Sequence, residues 1–278
     1  MIDKLDYIQE MGFDAVYISP VTQNLEGNTS YGESYHGYWP QDIYQLNSHF
    51  GTVDDLKALS QALHDRSMFL MVDVVINDMA YNTNGKDPGS NVDYSVFNPF
   101  NDKKYYHSYC EIEDYDNYTD AQICWFGDDK VALPDLDTEN PEVSAMMNDW
   151  IVKLVADYSI DGLRVDAVKH VGDAFLKSFA EAAGIFTIGE EFEGDPFKFC
   201  HYQTLMPSMT NYPNYFPMIK AFTAGNITAL SLANPVTKRT CGDTTALASF
   251  SENHDLPRIP SYSKDPTVCN KAWLALSN

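Results

Sequence analysis

Asp166, Glu190 and Asp255 close three short stretches of the chain: Gly162-Leu163-Arg164-Val165-Asp166, Ile185-Phe186-Thr187-Ile188-Gly189-Glu190 and Ser251-Glu252-Asn253-His254-Asp255. In a parallel α/β barrel the strand ends converge on the C-terminal face. Three carboxylates delivered there suit cleavage of a glycosidic bond, which needs a nucleophile and a proton donor flanking it. Arg164 precedes Asp166 by two residues, so strand alternation puts both side chains on one face. A guanidinium there keeps the carboxylate ionised, as a nucleophile requires. A proton donor of this kind needs a raised pKa, which a partly dry pocket and nearby acids would supply. Asp255 is the third such acid, with His254 beside it. The residues alone leave blander readings open: a strand-closing Asp–Arg pair, a solvated Glu190 beside Glu191, and a core histidine at 254.

The elements that must position these groups are visible as alternating periodicities. Leu5, Ile8 and Met11 share one helical face before Gly12, and Phe13 to Ile18 reads as a strand ending at Ser19-Pro20. A helix over 52–66 follows, with Thr52 or Asp54 as N-cap and Leu56, Leu59 and Leu63 as its apolar stripe. Met68 to Val75 is a continuous apolar run, the mark of a strand covered on both faces. Strand, helix, strand in this order predicts parallel βα units. The pattern breaks between about 78 and 138, a stretch rich in Asn, Asp, Tyr, Gly and Pro that reads as a functional excursion or small subdomain. It resumes with a helix at 141–157 opened by Pro141, a strand at 162–166, a helix at 171–183 and a strand at 185–190. A short strand near 205–209, a helix after Tyr215 and a strand at 247–251 complete the pattern.

Composition narrows the function classes. Lys plus Arg number 18 against 40 Asp plus Glu, a formal charge of −22 that repels phosphate backbones and argues against a nucleic-acid partner. No run approaches the roughly 20 apolar residues of a membrane span. The opening Met1-Ile2-Asp3-Lys4-Leu5-Asp6 reads as an amphipathic helix rather than a secretory signal. Cys110 and Cys124 bracket a polar segment, and a bridge there would be worth about 3 kcal/mol in the chain-entropy model. With no short C-x-x-C pair among the five cysteines, zinc is disfavoured. Asn-x-Ser/Thr acceptors at Asn28, Asn117 and Asn226, together with the cysteine spacing, lean towards a secreted protein.

Six motifs in order carry a family resemblance: Tyr35-His36-Gly37-Tyr38-Trp39, Asp73-Val74-Val75-Ile76-Asn77, Leu133-Pro134-Asp135-Leu136-Asp137, Gly162 to His170, Gly189-Glu190 and Glu252-Asn253-His254-Asp255. Together they resemble the α-amylases, and within them the secreted fungal enzymes acting on starch. The resemblance implies an α/β chain of (β/α)8 type. Residues 1–77 and 139–278 would be its two barrel parts, with 78–138 an inserted calcium-binding subdomain. It implies endo-hydrolysis of α-1,4-glucosidic bonds in starch-like glucans, with Asp166, Glu190 and Asp255 catalytic and retention of configuration. The two reacting carboxyls would then stand about 5–5.5 Å apart. It places His36 and Tyr38 at the cleavage subsite beside Trp39, which by themselves also suit a core aromatic cluster. Arg164, Lys169, His170 and His254 would complete the sugar contacts. Calcium, which takes six to eight oxygen ligands, would be held by Asn77, Asp135, the His170 carbonyl and a carbonyl best matched to Gln122. Cys110, Cys124, Cys200 and Cys241 are the expected disulfide cysteines, with Cys269 left over. A monomer acting on glucan or maltooligosaccharide completes the picture.

Two departures stand against the family pattern. Asp78 occupies the place of a sugar-binding His; ionised, it cannot donate, and it adds charge near Asp166 and Asp255. Weakened sugar binding and a shifted pH profile are therefore expected. The sequence also reads as a partial barrel, lacking a first strand, an eighth strand and the C-terminal β-sandwich. Two rivals follow: a related glucanotransferase or α-glucosidase using the same carboxylates, and a non-catalytic glucan-binding protein or inactive fragment.

Overall fold

The computed structural model describes residues 1–265, 267 and 268. The chain divides into two compact units, Met1–Thr187 and Ile188 onward. Cys269 lies outside the described residues.

The strands of the first unit are β1 (Ala15–Ile18), β2 (Thr22–Asn24), β3 (Pro40–Leu46), β4 (Phe69–Val74), β5 (Tyr81–Asn82), β6 (Phe126–Gly127), β7 (Val131–Leu133) and β8 (Gly162–Val165). Strand β9 (Phe186–Gly189) runs from the first unit into the second, which also holds β10 (Ser208–Met209). β1 pairs parallel with β4, and β4 with β8. Every residue of β8 is buried, as is most of β4, which is what apolar runs covered on both faces require. The intervening helices supply that cover. Val53–His64 buries Leu56, Leu59 and Leu63, and Pro141–Tyr158 buries Val143, Met147, Trp150, Ile151 and Leu154.

Helix boundaries follow local chemistry. Of the two expected N-caps for Val53–His64, the structure uses Thr52: its hydroxyl accepts from Asp55 N while Asp55 accepts from Thr52 N, a reciprocal capping box. Asn140 caps Pro141–Tyr158, and Ser159 ends it in the left-handed region at φ 50°. The helix expected at 171–183 is Asp173–Ala183, ended by Gly184.

The excursion contains β5, β7 and β6 as a small antiparallel sheet. A bridge joins Cys110 to Cys124 within it, and a second joins Cys200 to Cys241 in the other unit. These are the four cysteines expected to pair.

Several expectations need correction. The sequence pattern did not reveal the β2–β3 hairpin, because its strands are half polar. In the second unit, β10 is only two residues long, and the helix expected after Tyr215 begins at Tyr212, capped by Asn211. The strand expected at 247–251 is reduced to a bridge at Ala248, which bonds Met209 O through its N–H and Asn211 N through its carbonyl, both at 2.9 Å. Helix Ile227–Thr240 was not foreseen: Pro235 lies inside it and Thr237 is its buried residue, so no apolar stripe announces it.

Candidate active site

In the first unit the site grows from the pairing of β4 with β8. Their register sets Asp73 beside Arg164, so the buried guanidinium lies between two carboxylates. Arg164 Nη1 donates to both Asp73 oxygens at 3.1 Å and also to Asp166 Oδ1. The pairing expected from alternation is therefore present, and Asp166 keeps about a fifth of its side chain exposed (22%) where Arg164 keeps 8%. The backbone N–H of Asp166 still bonds Val74 O at 3.0 Å, and the chain then turns abruptly. Ala167 is left-handed at φ 48°, an unusual state for a residue with a Cβ and one found where surrounding structure over-determines the backbone. That turn feeds the short helix Val168–His170, so Lys169 and His170 follow the carboxylate directly.

Asp73 was quoted in a motif but not assigned a site role, and it is the hub of this network. The Tyr17 and Tyr38 hydroxyls both donate to its Oδ2. Burial, then the adjacent Asp73 charge, pushes both hydroxyls far above their ordinary pKa, so they remain donors at any working pH. The signal available in the sequence was an acid inside an otherwise apolar run.

The His36-Gly37-Tyr38-Trp39 cluster is assembled by a turn that requires Gly37. Its φ is +90°, and a Cβ there would meet Pro20 O at 2.8 Å. His36 stacks on Tyr38 with ring centres 6.0 Å apart and meets Trp39 edge-on at 4.7 Å. The Arg164 guanidinium carbon lies 5.9 Å from the centre of the Tyr38 ring. His36 Nδ1 accepts the Tyr38 N–H at 3.0 Å, and burial holds its pKa below the ordinary value. The structure thus brings His36, Tyr38, Trp39, Arg164 and Asp166 into one half-buried polar and aromatic surface.

His170 is buried and lies against Phe126 and Tyr115, with its Nδ1 2.8 Å from Ala121 O. Burial lowers its pKa to about 4, so the ring is neutral and Nδ1–H is the donor. Gln122 Nε2 donates to Val171 O at 3.1 Å. The helix Tyr118–Ile123 of the excursion is therefore tied to the segment that follows Asp166. Lys169 Nζ lies 5.3 Å from the centre of the Tyr118 ring.

Beside this lies a pair of buried oxygens suited to a cation. Asn77 and Asp135 are 1% and 0% exposed, and neither Asn77 Oδ1 nor Asp135 Oδ1 has a hydrogen-bond partner among the described residues. A buried polar atom left unpaired costs about 1–3 kcal/mol, so the pair calls for a ligand. Burial pushes the Asp135 pKa up to about 7, opposed by the bond its Oδ2 receives from His107 Nδ1 at 2.6 Å. His107 was not anticipated, and no spacing announced it. Burial disfavours its charge, but bonds to Asp135 and Glu139 raise its pKa to about 10. Its Nε2 also faces Asp137 and Glu139, at 3.5 and 3.2 Å.

In the second unit Glu190 follows β9 and is half-buried, whereas the neighbouring Glu191 is fully buried. Asp255 and His254 are exposed, with Oδ2 and Nε2 3.4 Å apart. Asn253 organises this loop: its Oδ1 accepts from Asp255 N at 3.1 Å and its Nδ2 donates to Tyr212 OH at 2.8 Å.

Parallel βα units with an Arg-paired acid just past a strand end place that acid on the face where barrel proteins carry their sites. Residues 1–276 match the family "Alpha amylase, catalytic domain", and the chain belongs to that family. It is 50% identical over 274 residues to "Alpha-amylase 2" of Schwanniomyces occidentalis, covering 98% of this chain and 53% of that protein. The structure of an alpha-amylase from Malbranchea cinnamomea matches with a TM-score of 0.91 at 49% identity, over 96% of this chain and 56% of that one. An alpha-amylase from Geobacillus thermoleovorans, complexed with acarbose, matches with a TM-score of 0.82 at 31% identity, over 96% and 57%. The fold is thus of (β/α)8 type in part, and the chain spans about half the length of the relatives it matches.

Proposed function

We propose that this chain carries the catalytic machinery of an endo-acting α-amylase that hydrolyses α-1,4-glucosidic bonds in starch-like glucans with retention. Asp166 attacks the anomeric carbon and forms a glycosyl-enzyme ester. Glu190 gives its proton to the departing glycosidic oxygen, then takes one from the water that cleaves the ester. Asp255, with His254, offsets the positive charge of the transition state. His36, Tyr38 and Trp39 pack against the sugar, and Lys169 and His170 contact the residue beyond the scissile bond. The observation that carries this reading is the pairing of Asp166 with Arg164, because a partly exposed carboxylate bonded to a guanidinium at a strand end is what the first displacement needs. Family membership and an acarbose-complexed relative support the substrate class.

The same reading makes 78–138 an inserted subdomain pinned by calcium, with 1–77 and 139–278 as barrel parts. Asn77, Asp135 and the carbonyls of His170 and Gln122 would hold the ion, whose contribution is to order this region. Extracellular action fits the two disulfides and the exposed acceptors Asn28, Asn117 and Asn226. Among the described residues no helix is long and apolar enough to cross a membrane.

The test is hydrolysis of an end-blocked maltooligosaccharide by the purified chain, with calcium, with a chelator, and beside Asp166→Asn. Cleavage that falls by on the order of 10⁴-fold or more in Asp166→Asn is expected. Equal activity in that variant would remove Asp166 from the nucleophile role. A folded chain with no cleavage would favour the glucan-binding alternative.

A further inference from the structure

Asp78 stands where the family resemblance expects a sugar-binding histidine, and its surroundings explain what a carboxylate does there. Two backbone bonds, Leu136 N to Asn77 O at 2.8 Å and Met79 N to Pro134 O at 3.1 Å, flank Asp78 and Asp135. They make Asp78 and Asp135 directly opposed residues of an antiparallel bridge, in the pairing that lacks bonds of its own. That is the pairing with the closest side chains, with Cα atoms about 4.5 Å apart, and both side chains lie on one side of the bridge. Like charges so placed repel each other. Asp78 is 5% exposed and Asp135 0%.

His107 bonds the Oδ2 of Asp135, and Arg164 bonds Asp73 and Asp166. Asp78 Oδ2, Asp135 Oδ1 and Asn77 Oδ1 remain buried without hydrogen-bond partners among the described residues. The Asn77 side chain lies against both carboxylates. The bridge therefore sets two carboxylates and the Asn77 side chain, all of hard-ligand type, together in one buried place.

We infer that Asp78 is an additional carboxylate ligand of the divalent cation held by Asn77 and Asp135, giving this chain a cation site with two side-chain carboxylates. The inference rests on the cation site proposed above and adds a ligand to it. Ligand charge sets calcium affinity, so the second carboxylate tightens binding. The same ion offsets the negative charge that Asp78 sets near Asp166. In this chain the departure from histidine is a strengthened metal site.

The test is calorimetric titration of Ca²⁺ into the chelator-stripped chain, with thermal unfolding as a parallel readout. The wild type is compared with Asp78→Asn, Asp78→His and Asp135→Asn. Calcium binding that weakens at least about tenfold in either Asp78 variant is expected. Binding lost in Asp135→Asn but unchanged in both Asp78 variants would overturn the inference and leave the cation site standing. A wild type that binds no Ca²⁺ would overturn both. Should the variants fail to fold, infrared difference spectra of the wild type decide: perturbation of two carboxylates on adding Ca²⁺ supports the inference, and of one alone overturns it.

Discussion

Replacing Asp73 by Asn keeps the shape of the hub and removes its charge. Arg164, 8% exposed, then loses its anionic partner at Asp73 while keeping Asp166. Breaking a buried ion pair from one side costs about 3–5 kcal/mol. Retention of Asp166 places this case near the lower end. The Tyr17 and Tyr38 hydroxyls change from bonds to a charged acceptor, worth about 1.5–3 kcal/mol, to neutral ones worth about 0.5–1.5. About 5–6 kcal/mol of destabilisation is expected in all. In urea unfolding with a slope of about 3 kcal/mol per molar, the midpoint falls by about 2 M. Tyr38→Phe in the native background should cost about 1–3 kcal/mol, and visibly less once Asp73 is Asn. Two results would refute the reasoning. One is a loss below about 1 kcal/mol for Asp73→Asn. The other is an equal cost of Tyr38→Phe in both backgrounds, which would show that Asp73 is not the acceptor.

Two further outcomes follow from local contacts. Thr52→Ala removes one arm of the capping box and should destabilise the first unit by about 1 kcal/mol, whereas Thr52→Ser should change little; parallel thermal melts check both. His36 is held neutral by burial, and its Nδ1 accepts the Tyr38 N–H. A folded-state pKa below the unfolded value of about 6.5 gives a contribution present above that pH and lost as pH falls through it. The stability gap between wild type and His36→Gln should therefore narrow between about pH 7.5 and 5.5. Parallel curves would show that His36 does not titrate between the two states.

Much of this protein was legible in the chain because the signals were local. The apolar run at 68–75, broken only by Asp73, and the stripe Leu56, Leu59, Leu63 announced β4 and its preceding helix, since burial on both faces or on one leaves different periodicities. Two-residue spacing put Arg164 on the same face as Asp166, and the structure keeps that pair. The strand at 247–251 and helix Ile227–Thr240 were misread or missed because a lone bridge and a polar, proline-containing helix have no such period.

The sequence by itself determined the family, the parallel βα order and the identity of the candidate carboxylates, all of which depend on residue type and near spacing. Tertiary structure alone decided who meets whom across long separations. The β4–β8 register makes Asp73 the shared partner of Arg164, Tyr17 and Tyr38. A single bridge sets Asp78 against Asp135, and His107 is folded onto the same acid. No local period encodes such contacts, because strand pairing and burial choose them only once the chain has closed on itself.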